Sequence, residues 1–149
     1  GLDDRDRPLN PRGRRDAPAM ARRLAERGFA PDLIVTSPAL RALRTAEIFA
    51  AAIGYPLTRV VLEPRLYDLE AEALLARVRS LEAGLNWVAW VGHNPALTEL
   101  AGRLAGKDLP NVPTCGVVEL GFASADWGTV GRRRPATFDF DFPKRLTPP

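Results

Sequence analysis

Short apolar runs alternate along the chain with stretches in which apolar residues recur every three or four positions. Asn10-Pro11 reads as an N-cap followed by proline at the first helical position. Ala17, Met20, Ala21 and Leu24 follow at helical spacing, so the pattern predicts a helix with one inward face, ended at Gly28. Pro18 removes one hydrogen bond and should bend this helix near its start. Leu33-Ile34-Val35-Thr36 is a short apolar run suited to a strand buried on both faces. Ser37-Pro38 is expected to open a second helix with Leu43, Ala46, Phe49 and Ile53 as its stripe, closed by Gly54. Arg59 to Leu62 supplies the next strand, and a third helix from about Leu69 to Leu81 turns Leu74, Leu75, Val78 and Leu81 inward. Trp87 to Val91 is another strand. Gly92-His93-Asn94-Pro95 then leads into a fourth helix carrying Leu97, Leu100, Ala101 and Leu104. Gly116 to Phe122 and Thr137 to Phe142 read as two further strands.

Strands alternating with helices predict an α/β fold, a three-layer α/β/α sandwich around a mostly parallel sheet. Without repeats or a low-complexity linker, residues 1–149 are expected to form a single domain with a core of useful size. Apolar residues make up 46% of the chain and charged residues 26%, ordinary for a globular protein. No apolar run is long enough to span a bilayer and the start is no signal peptide, so no membrane partner and a cytoplasmic location are expected. The one cysteine, Cys115, has no companion for a disulfide or a zinc site and reads as a buried thiol. The formal charge of +3 is almost all arginine on the positive side, which suits an acidic or phosphorylated partner. Arg132-Arg133-Arg134 lies in a Gly/Pro-bounded stretch and reads as a solvated loop. With Trp87 and Trp90 in an apolar strand and no recognition module, no nucleic-acid partner is expected.

Ligands of α/β sheets bind beyond the carboxyl ends of the strands, and two motifs stand there. In Ser37-Pro38-Ala39-Leu40-Arg41-Ala42-Leu43-Arg44-Thr45, Ser37 can cap the helix, and Arg41, one turn in, can swing back toward the strand ends. Thr45 lies a turn further on the same face. A guanidinium suits a phosphoryl group because its planar fork donates two parallel hydrogen bonds, although helix arginines ordinarily face solvent. The second motif holds His93, the only histidine. A lone histidine is ordinarily structural, but this one follows an apolar strand and precedes a helix start, where backbone N–H groups favour an anion.

Taken in order, Arg7-Pro8-Leu9-Asn10-Pro11-Arg12-Gly13, Ser37-Pro38 with Arg41 and Thr45, Arg65-Leu66-Tyr67-Asp68 and Gly92-His93-Asn94-Pro95 resemble the histidine phosphatase superfamily, which includes the phosphoglycerate mutases. Pro113-Thr114-Cys115-Gly116 and the compact length resemble its small branch, the SixA-type phosphohistidine phosphatases. The resemblance spans nearly the whole chain. It implies a phosphoglycerate mutase-like fold and a phosphatase without metal or other cofactor. In the family, a histidine in an Arg-His pair at the end of the first strand attacks phosphorus and forms a phosphohistidine intermediate, which water hydrolyses. Carried over by motif, Arg41 is the second phosphate-binding arginine and His93 the second pocket histidine. Asp68 falls where many relatives carry the acid, with Glu63 and Glu70 as nearby competitors. Arg7 borders the pocket through its Arg-Pro-Leu motif or serves an exposed salt bridge.

The 149 residues contain no Arg-His pair, and no apolar strand precedes the first motif. The first strand of the family pattern is therefore missing, residue 1 is glycine, and truncation of a longer parent is expected over evolutionary loss. Without the nucleophile the chain should bind phosphate weakly and turn over little. Without an interior strand, an open slot in the sheet or poor solubility is expected. For the intact parent, the short segment between Arg65 and Trp87 leaves little material for a lid, and an open site suits phosphohistidine presented on a protein. The alternatives are a phosphomonoesterase acting on a small phosphate ester and a non-catalytic phosphate-binding or adaptor module.

Overall fold

The computed structural model describes residues 2–145. They form a mixed α/β protein in two compact units, residues 2–68 with 87–93 and residues 69–86 with 94–145.

The first unit is built on helices α1 (Pro11–Glu26) and α2 (Leu40–Ile53) and strands β1 (Leu33–Thr36), β2 (Val61–Leu62) and β3 (Val88–Val91). The start of α1 is as the sequence predicts: the Asn10 side chain accepts the Gly13 N–H at 2.8 Å, and Pro11 is the first helical residue. Ala17, Met20, Ala21 and Leu24 are all buried, and α1 packs against α2. Helix α2 begins at Leu40, three residues later than Ser37, because the Ser37 side chain is occupied elsewhere; Ala39 holds the N-cap position without a side-chain cap. Its buried residues are Ala42, Ala46, Phe49 and Ala50; Ala46 and Phe49 belong to the stripe read from the sequence, while Leu43 and Ile53 are half-buried. Gly54 closes it at φ +72, a left-handed conformation that favours glycine.

Strand β1 is central and pairs in parallel with β2 on one side and β3 on the other. Its interior position matches its burial: Ile34, Val35 and Thr36 are all enclosed. Ile34 packs with Ala46, Ala50 and Tyr55 in a small core. The Tyr55 hydroxyl accepts the Ile34 N–H at 3.2 Å and donates to the Arg59 carbonyl at 2.9 Å, tying the strand to the turn after α2. Thr36 lies level with Leu62 of β2 and with Val91 of β3. The ladder runs one residue further, with Ser37 N–H on the Val91 carbonyl and Glu63 N–H on the Thr36 carbonyl, each at 2.9 Å. Three chain segments therefore leave the carboxyl edge of this sheet together: Ser37 onward, Glu63 onward, and Gly92-His93. Strand β3 closes the sheet as an edge strand, and among the described residues no strand precedes α1.

The second unit holds α3 (Ala71–Arg79), α4 (Ala96–Ala105) and strands β4 (Val117–Gly121) and β5 (Thr137–Asp141). β4 and β5 pair antiparallel in a two-stranded sheet of their own, with Val117 opposite Asp141. Leu74, Leu75 and Val78 of α3 and Leu100, Ala101 and Leu104 of α4 are buried, and Glu72 and Arg103 form an ion pair between the two helices. Asn94 lies two residues before α4, and its side-chain oxygen accepts from the Thr98 N–H and hydroxyl. Cys115 is half-buried rather than enclosed, at a left-handed φ of 63, because it sits in the turn before β4. Arg132, Arg133 and Arg134 are exposed between the short 3₁₀ turn Trp127–Thr129 and β5. No helix among the described residues is long and apolar enough to cross a membrane.

Candidate functional site

The three segments that leave the carboxyl edge of the β2-β1-β3 sheet carry Ser37 and Arg41, Tyr67 and Asp68, and His93. His93 stands two residues beyond Val91, and its Nε2 lies 2.7 Å from the Ser37 hydroxyl oxygen. Ser37 is fully buried. Its oxygen also accepts the Ala39 N–H at 3.2 Å, so the serine braces the turn into α2 while it touches the imidazole. The Tyr67 ring meets the His93 ring edge to face, with centroids 5.6 Å apart.

Arg41 reaches back from the first turn of α2. Its guanidinium donates to the Asp4 carbonyl at 2.8 Å and to the Asp4 carboxylate at 3.1 Å. The same carboxylate oxygen accepts a short hydrogen bond from the Tyr67 hydroxyl. Arg5 places its guanidinium over the Tyr67 ring, 4.5 Å from the ring centre. Thr45 donates back to the Arg41 carbonyl at 2.9 Å, one turn along the helix. A carboxylate thus occupies the fork of the arginine that the sequence singles out for an anion, and the aromatic ring that touches this carboxylate also touches His93.

The electrostatics follow from this crowding. Burial, and then the positive charge of Arg41, hold His93 below its ordinary imidazole range, while Asp4 and Asp68 pull the other way. The Tyr67 hydroxyl and then Arg41 hold the Asp4 carboxyl below the usual carboxylate range. The hydrogen bond to Asp4 in turn raises the Tyr67 phenol. Near neutral pH, His93 is therefore an uncharged imidazole beside a cation, and Asp4 is ionised.

Of the residues singled out from the sequence, Arg41 and His93 come within electrostatic reach of one another. Asp68 is exposed and its charge is felt by both His93 and Tyr67. Arg7 is exposed and contributes to the field at Asp4. Glu63 caps the 3₁₀-helix Pro64–Tyr67 by accepting the Arg65 N–H at 3.3 Å, and Glu70 is exposed at the start of α3. Ser37, read as a helix cap, instead contacts His93. Asp4 and Tyr67 were not singled out at all. Tyr67 lies inside the Arg65–Asp68 motif, which was the only signal for it, and Asp4 lies in an aperiodic stretch that gave none.

Residues 3–75 match the Histidine phosphatase superfamily (branch 1), a likeness over just under half of the chain. The fold matches that of structures of SixA phosphohistidine phosphatases. A structure assigned as the SixA phosphohistidine phosphatase of Agrobacterium tumefaciens superposes with a TM-score of 0.77 at 28% identity, over 93% of this chain and 86% of that one. The protein histidine phosphatase SixA complexed with tungstate superposes with a TM-score of 0.75, over 95% of this chain and 86% of that one; at 21% identity the likeness is one of fold. A protein of Picosynechococcus is 40% identical over 106 residues, 69% of this chain and 62% of its own length. The chain thus spans about three fifths of that relative's length.

Proposed function

We propose that this protein belongs to a phosphatase that removes phosphoryl groups from protein phosphohistidine, with Arg41 and His93 as two of the groups that hold the phosphoryl oxygens. One observation carries this reading: at the carboxyl edge of a parallel sheet Arg41 and Tyr67 share one carboxylate, that of Asp4, and the Tyr67 ring packs against His93. A planar guanidinium that binds a carboxylate oxygen is equally suited to a phosphoryl oxygen. Beside it, a neutral imidazole donates one N–H to charge that grows on the equatorial oxygens in the transition state. Asp68, whose field reaches His93, is the proposed acid, and Arg7 a border residue. Since the 149 residues contain one histidine and no Arg-His pair, the reading assigns the covalent step to a histidine outside them and expects little turnover from these residues alone.

A protein-borne substrate fits the sequence between the 3₁₀-helix and β3, where α3, of nine residues, is the only helix. So little chain builds no long lid, and an uncovered site admits a phosphohistidine on a bulky carrier. The P–N bond of phosphohistidine is labile, so a weak acid at Asp68 suffices. The test is turnover of a phosphohistidine peptide against a simple phosphate ester by the chain with its upstream sequence. Arg41→Ala and His93→Ala should each cut the peptide rate by well over ~10-fold. A near-wild-type rate for either removes that residue from the site, and preference for the ester replaces the substrate class. Tungstate binding without any turnover would make the protein a phosphate-binding module.

A further inference from the structure

We infer that Ser37 is a positioning residue for His93: its hydroxyl donates to Nε2, holds the imidazole as the Nδ1–H tautomer, and leaves Nδ1–H as the donor offered to a phosphoryl oxygen. The last clause rests on the function proposed above; the first two rest on the hydrogen-bond inventory alone.

A serine hydroxyl has one proton to give and two lone pairs to receive with. Ser37 is fully buried, so water does not complete its set. Its oxygen accepts the Ala39 N–H at 3.2 Å, which uses one lone pair. Its other side-chain contact is His93 Nε2 at 2.7 Å. Were Nε2 protonated, the serine oxygen would receive two donors, and its own proton would point into a buried environment without an acceptor. With the proton on Nδ1, every group at the serine is satisfied: Ala39 N–H to serine oxygen, serine O–H to Nε2. The serine backbone is held by its N–H on the Val91 carbonyl at 2.9 Å and by the Thr36 hydroxyl on its carbonyl at 3.1 Å, and the Ala39 N–H holds its side-chain oxygen. Tyr67 packs against the imidazole and fixes the plane of the ring. Nδ1 has no hydrogen-bond partner among the described residues. Burial and Arg41 keep the ring neutral, the condition under which a tautomer choice exists at all.

These 149 residues offer an unusually direct test, because His93 is the only histidine among them. Imidazole nitrogen-15 NMR of the whole chain at about pH 8 reads which nitrogen carries the proton without any assignment step. The expected spectrum has Nδ1 as the protonated nitrogen and Nε2 as the bare one. A wild-type spectrum with Nε2 protonated overturns the inference. Ser37→Ala should move the population toward the Nε2–H form that free imidazole side chains prefer in water. A folded Ser37→Ala protein with the wild-type tautomer shows that Ser37 is not the cause. Should that variant fail to fold, Ser37→Cys keeps the size with a much weaker donor and should show the same shift. Tungstate, added to the wild type, should move the Nδ1 resonance more than Nε2. An unmoved Nδ1 with the expected tautomer overturns the phosphoryl contact and leaves the positioning role standing, so the two failures are separable.

Discussion

At the scale of single residues, the site is a competition among charges for one guanidinium. Asp4 is an internal anion on Arg41, so an external anion must displace it. Asp4→Asn should therefore tighten tungstate binding by roughly two- to fivefold, the size carried by an exposed ion pair. Weaker binding in a calorimetric titration would mean that Asp4 organises the site instead of filling it. His93 gives a second prediction. Its folded value is depressed from the ordinary 6.5 by burial and Arg41, so below that pH the unfolded chain binds more protons than the folded one. Stability should consequently fall as pH drops below about 6.5, with no contribution from this group above it. Melting curves at about pH 8 and pH 5.5 should show a smaller acid loss in His93→Gln than in the wild type; equal losses would mean that the imidazole is not held neutral. The sequence made Arg41, His93 and Asp68 legible because each lies in a short motif at a strand end. It did not make Asp4 legible, since its partners Arg41 and Tyr67 are 37 and 63 residues away and no local pattern encodes such a pairing.

At the scale of elements, the termini that local chemistry dictates were readable and those that tertiary contacts override were not. Asn10-Pro11 and Gly54 mark helix ends because capping and left-handed backbone are local requirements. Ser37-Pro38 looks like the same kind of signal, yet α2 starts at Leu40. The serine is committed to Val91 of β3, to Ala39 and to His93, and none of these demands is visible in the dipeptide. β2 shrank to Val61–Leu62 because the segment Leu57–Arg59 forms a 3₁₀ turn under the control of Tyr55. That tyrosine sets a further prediction. Tyr55→Phe leaves the Ile34 N–H without its partner in the middle of the sheet, which should cost about 1–3 kcal/mol. Met20→Ala, which empties a fully buried position of α1, should cost about 2–5 kcal/mol. Chemical denaturation measures both, and a neutral Tyr55→Phe would mean that water replaces the hydroxyl.

At the scale of the molecule, the alternation of strands and helices announced the α/β class and the parallel β2-β1-β3 sheet, but not the antiparallel pair. β4 and β5 run antiparallel to each other in a separate sheet. The direction is set by what joins the strands, here a segment without an α-helix, and not by their residues. The net charge of +3 is spread through many exposed arginines, so association with a phosphorylated protein should weaken as salt rises from about 20 to 300 mM. A salt-independent affinity would restrict recognition to the phosphoryl group itself. The aligned ends of β1, β2 and β3 have a consequence of their own. Ser37 and Glu63 stand one residue past the ladder and His93 two, so chain length acts as the ruler that spaces the chemistry. Evolution can exchange the flanking side chains, but a single glycine inserted after Val91 would push the imidazole about 3.3 Å along its path and part it from the serine, with the core left intact.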